Sequence, residues 1–387
     1  MKSPAFLKKV WWQLPAWLFF LGTVCCGPVR AGDSPLERVT IGALLPLSGE
    51  NSSVGVEARK GIELALRWFE PEFRKKGYEI RVAFADDAME PEKAEPAFRK
   101  LVAEFQVPAV IGPFTSPEMI RLAPLAAQAE VPLVSGSVSS PRLRELGPWV
   151  FSIGTLDDYQ GRALARFAYE TLRCRRAAVL YLDNAYGGGL KRLLEAEFSH
   201  LGGEVVFSGG HHEGDNEFLE DLDRVRTLKP HCLFVATYPV EAGLILKEAR
   251  ALGLTQPVLG GDGIYSEDLI EVAGPAARDT YATAVSWRPG STRPRARRFV
   301  RDYTEHYGVA PGLYAASYFD AASVVMQSVL ARAGQPPGAL REYLAATPFE
   351  GVTGAIHFGK DRAPARPVDI YKVEDFSFDY FYTLLPR

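Results

Sequence analysis

VTIGALLPL (39–47), SVGVEARKGIELALRWFE (53–70) and YEIRVAFADD (78–87) follow one another with two changes of hydrophobic period. The first is a continuous apolar run, as a buried strand requires. The second places Ile62, Leu66 and Phe69 at helical spacing, and the third alternates like a strand. Strand, helix, strand is the unit of a parallel sheet. Working outward, PEKAEPAFRKLVAEF (91–105) reads as a helix, VPAVIGPF (107–114) as a strand, SPEMIRLAPLAAQAE (116–130) as a helix, and VPLVSGS (131–137) and WVFSIG (149–154) as strands. The pattern then restarts. Helices are predicted over 157–172, 187–202, 216–230 and 239–253, with strands over 176–183, 203–210, 232–238, 256–263 and 279–287. Helices around 293–307 and 314–333 and a short β-like tail from 351 complete the chain. Two such rounds predict an α/β protein of two doubly wound parallel-sheet lobes.

The chain has 387 residues, and with 47% of them hydrophobic it is too apolar for a disordered protein. A formal charge of −3 argues against a dedicated nucleic-acid binder, and four cysteines are too few for a disulfide scaffold. Lys2, Lys8 and Lys9 precede the apolar run LPAWLFFLGTVCC (14–26), and Gly27, Pro28 and Val29-Arg30-Ala31 follow it. That order is a secretory signal peptide over 1–31, with cleavage expected after Ala31. The run is too short to span a bilayer comfortably. Lipid attachment at Cys25 or Cys26 is the less favoured alternative, because Val24 or Cys25 would then stand where a glycine or alanine is expected. The segment carries four of the 44 basic residues and none of the 47 acidic ones, so its removal leaves 356 residues with a net charge of −7. Two cysteines remain, Cys174 and Cys232. They fall on strands that neighbour each other in a 2-1-3-4-5 order. Two separate buried thiols are favoured over a bridge, whose geometry is narrowly constrained.

Open α/β sheets bind ligands beyond the carboxyl ends of their strands. At those positions stand Ser48-Gly49, Asp86-Asp87, Thr115-Ser116-Pro117, Ser135 to Pro141, Asp183 to Tyr186, Tyr238-Pro239 and Asp262. Ser116 before Pro117 and Glu118 carries helix-start signals, and Ser139-Ser140-Pro141 repeats them after the next strand. A helix amino end offers unpaired N–H groups and partial positive charge, which suits a carboxylate. Each serine alone is better explained as a cap, and it is the two starts on adjacent strands of one sheet that point to an anion site. Asp262 in GGDG, flanked by glycines, could pair with a ligand ammonium or could simply form a turn. Tyr186 and Tyr238 end strands of the second round and could wall the same pocket.

Other features are weaker. YGGGL (186–190) lacks dinucleotide-binding spacing. His211-His212-Glu213 lacks a convergent fourth ligand and reads as a solvated loop, not a metal site. The arginines at 293, 295, 297, 298 and 301 read as the exposed face of a helix and its approach loop, with a docking surface as the sharper alternative.

The ordered set IGALLPLSG with GIELA, DDAMEPEKA, VIGPFTS, VPLVSGSVSSPRL, DDYQG, YGGG, TYPVEAG, GGDG and YAASYFDA resembles the branched-chain amino-acid-binding proteins. These are periplasmic substrate-binding components of ABC transporters, with the type I two-lobed fold. The resemblance runs from about Val39 to about Val373. It implies that Ser116 and Ser139 bind a ligand α-carboxylate and that Ser137 offers its backbone carbonyl to the α-ammonium. It further implies that Asp262 pairs with that ammonium and that Tyr186 and Tyr238 line the second-lobe wall. Asp262 is one methylene shorter than the glutamate of leucine-binding members. Val54 replaces an aromatic, and Met89 and Thr115 occupy the places of a disulfide that some members have. An α-amino acid is therefore the expected ligand class, without a specified side chain.

The implied lobes are 36–155 plus 286–365 and 156–285 plus 366–387, with crossings near 153–157, 284–288 and 360–368. The expected behaviour is hinge closure of a monomer over its ligand, read by a membrane permease, with no cofactor, metal, nucleic acid or catalysis. A sensor of the same fold, recognising an amide, urea or carboxylate, is the alternative. A serine hydrolase would need a histidine at a first-lobe strand end, and none of the six lies there.

Overall fold

The computed structural model describes residues 36–284, 287–288 and 290–384. The export-signal reading of 1–31, with its cleavage and lipidation alternatives, lies outside the described residues. The first sheet is built from β1 (Glu37–Leu45), β2 (Tyr78–Asp86), β3 (Val110–Ile111), β4 (Leu133–Ser135) and β5 (Val150–Ser152), all parallel, in the order β2-β1-β3-β4-β5. Between its strands run α1 (Ser52–Lys75), α2 (Pro91–Phe105) and α3 (Ser116–Ala129).

The chain then leaves this sheet through α4 (Asp157–Arg166). It builds β6 (Arg176–Leu182), α5 (Gly187–His200), β7 (Glu204–His211), α6 (Leu219–Leu228), β8 (Cys232–Ala236), α7 (Pro239–Ala251), β9 (Val258–Gly260), α8 (Glu267–Ala273) and β10 (Thr280–Ala284). These five strands are again parallel, in the order β7-β6-β8-β9-β10. The chain next adds α9 (Pro294–Tyr307), α10 (Leu313–Arg332), α11 (Pro337–Ala346) and the small hairpin β11 (Phe349–Glu350) with β12 (Ala355–Ile356). Finally β13 (Val368–Glu374) pairs antiparallel with β10, and β14 (Ser377–Leu384) with β13. The expected tail is thus an antiparallel ribbon on the edge of the second sheet, which is mixed and not wholly parallel.

The helix α10 explains why the last third of the chain belongs with the first. It is buried along nearly its whole length, from Leu313 to Val329, so no polar face is left for water. It packs along α1, where Gly61 lies against the Ala315 carbonyl so closely that a Cβ would overlap it. Phe319 of α10 is fully buried between Trp68 and Phe299. Its truncation to alanine would cost about 3–5 kcal/mol.

Three local expectations change. The helix read as 53–70 continues through Pro71 to Lys75, because Phe73 is buried and carries the apolar face one turn further. The helices α8 and α11 had no counterpart in the sequence reading; each is short. His211 is not in a solvated loop: it ends β7 and packs on Phe218. Cys174 and Cys232 are both buried and both free. No described helix is long and apolar enough to cross a membrane.

Candidate functional site

Ser116, Ser137, Ser139, Tyr186, Tyr238 and Asp262 all line one cavity, together with Val54, Met89, Phe114, Thr115, Leu313 and Tyr314. Each of the six comes from the carboxyl end of a strand, the serines from the first sheet and the others from the second. The free volume is about 30 Å³, room for a water or two. The two sides are drawn together: Ser53 on α1 hydrogen-bonds Asp268 on α8, and the Tyr314 hydroxyl donates to the Asp262 carbonyl at 3.2 Å. The conformation is closed, and a ligand must part these contacts to enter.

The first wall is a set of donors. Thr115, not Ser116, is the N-cap of α3, and it forms a capping box with Glu118. The Glu118 carboxylate accepts the Thr115 N–H at 2.8 Å and its hydroxyl at 2.7 Å. Pro117 has no N–H, so Ser116 supplies the remaining amide of the first turn. The Ser116 hydroxyl accepts from the Ser140 amide at 3.3 Å, which leaves its proton for the cavity. The second helix start is smaller than expected: Ser140 caps only a five-residue 3₁₀ turn, Pro141–Glu145, too short for an appreciable dipole. The Ser137 hydroxyl is committed to the protein, donating to the Phe114 carbonyl at 2.6 Å and meeting the Tyr318 hydroxyl at 3.0 Å.

Behind this wall, Asp86 and Asp87 act on the main chain. Asp86 accepts the amides of Leu47 at 2.8 Å and Ala88 at 3.0 Å, and Asp87 accepts that of Met89 at 3.1 Å. These bonds hold Ala88 and Met89 at positive φ, which is unfavourable for side-chain-bearing residues and turns Met89 into the cavity. Asp87 and Glu118 are both buried, and each has one carboxyl oxygen without a partner among the described residues. Burial raises the Asp87 pKa to about 7, with Asp86 adding to the rise and Glu118 limiting it, and pushes Glu118 well above its ordinary value, with the Asp87 charge adding to that.

The second wall carries the charge. Tyr186 and Tyr238 are the N-caps of α5 and α7, and their rings stack at 5.5 Å and 8°. Asn184 sets the turn by accepting the amides of Tyr186 and Gly187 at 2.9 Å. The Tyr186 hydroxyl accepts the Gly263 amide at 3.0 Å. The glycines of GGDG therefore admit a tyrosine of the protein itself.

Asp262 is buried, and burial raises its pKa to about 7, with Gln160 and Tyr186 limiting the rise. Two residues that sequence reasoning passed over adjoin it. Gln160 accepts the Asp262 amide at 3.2 Å and donates to Asp157 at 3.3 Å. Asp157 is fully buried with one oxygen unpartnered, and its pKa is raised by burial and then by the charge of Asp262. Its signal was the run DDYQG just after β5, a strand-end position of the same kind as those chosen. Tyr314 was hidden inside the motif YAASYFDA and reaches the site only because α10 folds back on α1.

No lysine, arginine or histidine is among the cavity-lining residues. The arrangement is thus dipolar: hydroxyl and amide donors on one wall and Asp262 on the other, with the buried Asp157 outside the lining but close enough for the two charges to act on each other. Two like charges so close in a buried place cannot both persist without a proton or a cation between them.

The chain and its fold have known relatives. A "Leu/Ile/Val-binding protein homolog 2" of Brucella abortus is 25% identical over 369 residues, covering 94% of this chain and 98% of its own. The crystal structure of a leucine-binding protein from Thermotoga maritima superposes with a TM-score of 0.84 at 28% identity, over 90% of this chain and 99% of that one. A branched-chain amino acid transporter substrate-binding protein from Streptococcus pneumoniae, in complex with isoleucine, gives the same TM-score at 25% identity, over 90% and 100% of the two chains. The sequence pattern of the periplasmic binding proteins matches residues 38–377, and the chain belongs to the periplasmic binding protein family.

Proposed function

We propose that the protein is the solute receptor of an ABC transporter and that it captures an α-amino acid with an aliphatic side chain between its lobes. The observation that carries this reading is the dipolar cavity. A ligand carboxylate would meet the Ser116 amide and hydroxyl with Ser139, and a ligand ammonium would meet Asp262 beside Asp157. Val54, Met89, Phe114 and Leu313 supply an apolar surface for the remainder. The names of the relatives, which bind leucine, isoleucine or valine, support the same class.

The lobes in this reading are 36–155 plus 286–365 and 156–285 plus 366–387. They open to admit ligand, and ligand favours the closed form because only that form makes both sets of contacts. A membrane permease reads the closed state, and the chain reaches the periplasm by cleavage after Ala31.

A thermal-shift screen of the 20 amino acids on purified protein tests the proposal. One or a few aliphatic amino acids should raise the melting temperature, by an amount that grows with the logarithm of concentration. Stabilisation by simple carboxylates, with none by any amino acid, would refute it.

A further inference from the structure

The arginine run from 293 to 301 does not form one solvated face. Arg298 lies over Trp68 at 3.7 Å and pairs with Asp302 at 3.2 Å, and Arg301 pairs with Asp302 at 2.8 Å. Arg293, the N-cap of α9, turns the other way. It donates to the Val352 carbonyl at 2.8 Å and to the Ser291 hydroxyl at 3.3 Å. Gly354 gives it room: a Cβ at that position would stand 3.2 Å from the Arg293 Nη1.

Arg293 thereby faces an open pocket of about 600 Å³ that also holds Arg288, Ser291, Thr353 and Arg366. The pocket lies where the chain passes from β10 to α9 and where it returns from β12 to β13. Arg288 is neutralised by Asp369 at 2.9 Å. Arg366 is not so matched. It is only 4% exposed, and it donates Nη1 to the Thr353 hydroxyl at 2.7 Å. Its Nε and Nη2 have no partner among the described residues. Asp320 stands behind Thr353, but its oxygens are taken by the Val352 amide at 2.7 Å, the Thr353 amide at 2.9 Å and the Thr353 hydroxyl at 2.6 Å. Burial lowers the Arg366 pKa to about 10, the Asp320 charge opposing the fall and Arg293 adding to it, which still leaves the group charged at neutral pH.

A nearly buried guanidinium with two donors unpartnered among the described residues, beside a second guanidinium on the wall of the same pocket, is an unfavourable arrangement by itself. An oxyanion at this wall would offset the repulsion between the two, and the guanidinium fork suits a tetrahedral anion in particular. We propose that this pocket binds a small tetrahedral oxyanion, phosphate or sulfate, between Arg293 and Arg366, with the Ser291 hydroxyl as a further donor. Because its walls are two of the segments that join the sheets, the bound anion ties those segments together and stabilises the fold. The inference is independent of the amino-acid reading, and its test needs no amino acid.

Purified protein is titrated calorimetrically with inorganic phosphate and melted over a phosphate series, against sodium chloride at matched ionic strength. Saturable one-site binding is expected, with a melting temperature that climbs with the logarithm of phosphate and a similar response to sulfate. Arg293→Gln should weaken binding tenfold or more. Ser291→Asp, which sets a carboxylate in the anion's place, should abolish the response, and it carries the test if the arginine variant folds poorly. Vesicles of phosphatidylglycerol against phosphatidylcholine separate a free anion from a lipid headgroup. The proposal is overturned if phosphate does no more than chloride, if both variants respond like the parent, or if the protein sediments with phosphatidylglycerol while ignoring free phosphate.

Discussion

The protein contains two buried acid pairs of nearly the same chemistry, Asp157 with Asp262 and Asp87 with Glu118. Both have pKa values raised chiefly by burial, and both hold carboxyl oxygens without partners. Their surroundings separate them. Asp87 and Glu118 spend their partnered oxygens on the main chain, at Met89 and Thr115, and face inward. Asp262 borders the cavity, which neither Asp87 nor Glu118 does, and its main chain is held by Gln160 and Tyr314. A perturbed carboxyl is therefore not by itself a sign of ligand binding; what matters is whether the residue borders the cavity.

That contrast can be broken most strongly at Asp262. Asp262→Ala should weaken amino-acid binding by roughly 100-fold or more, since losing one member of a buried ion pair costs about 3–5 kcal/mol. The variant should remain folded, and calorimetry on it checks the point. An affinity within threefold of the parent would remove Asp262 from the site.

The next effect is on pH. Asp262 must be ionised to hold an ammonium, and its pKa in the empty protein is about 7. Affinity should therefore rise as pH goes from 6 to 8, by up to about tenfold per unit on the acid side. Asp262→Asn should flatten that profile. Stability of the empty protein should move oppositely. Acids whose folded pKa lies above the unfolded value bind protons more tightly when folded. They add stability at low pH that is lost as pH rises from about 4 toward the folded values near 7. Urea melts of ligand-free protein at pH 6 and pH 8 should show the first to be more stable.

The smallest effect belongs to the inward pair. Glu118→Ala removes one half of the α3 capping box and should cost about 0.5–2 kcal/mol of stability. Amino-acid affinity should change only a few-fold, through Thr115 and Ser116. A loss as large as that of Asp262→Ala would mean that the two pairs are not distinct in role.

Much of this was legible in the chain. The switching of period placed ten parallel strands in two sheets, and reading the strand ends brought together six residues that share one cavity. The misses have physical causes. Ser116 reads as an N-cap because it precedes Pro117, yet Thr115 and Glu118 are spaced to cap each other, and the reciprocal pair wins. Asp157 and Gln160 stand in DDYQG just after β5, a strand-end position, but the partners of Gln160 at Asp262 and Thr283 come from residues more than a hundred positions on, which no local pattern reveals. The arginine run reads as solvent-facing because helical spacing alone says nothing of the hairpin that Arg293 turns toward.

The Tyr186 hydroxyl lies so near residue 263 that a single methyl there would overlap it. The breadth of the cavity is thus gauged by an absent carbon. A chain carrying alanine at 263 would press on the Tyr186 ring and on the Thr237 carbonyl, so the ring would have to swing aside and part from Tyr238, giving a pocket of another calibre with Asp262 and the serines still in place. That one position offers a dial for the size of the captured molecule, separate from the groups that would recognise its charges.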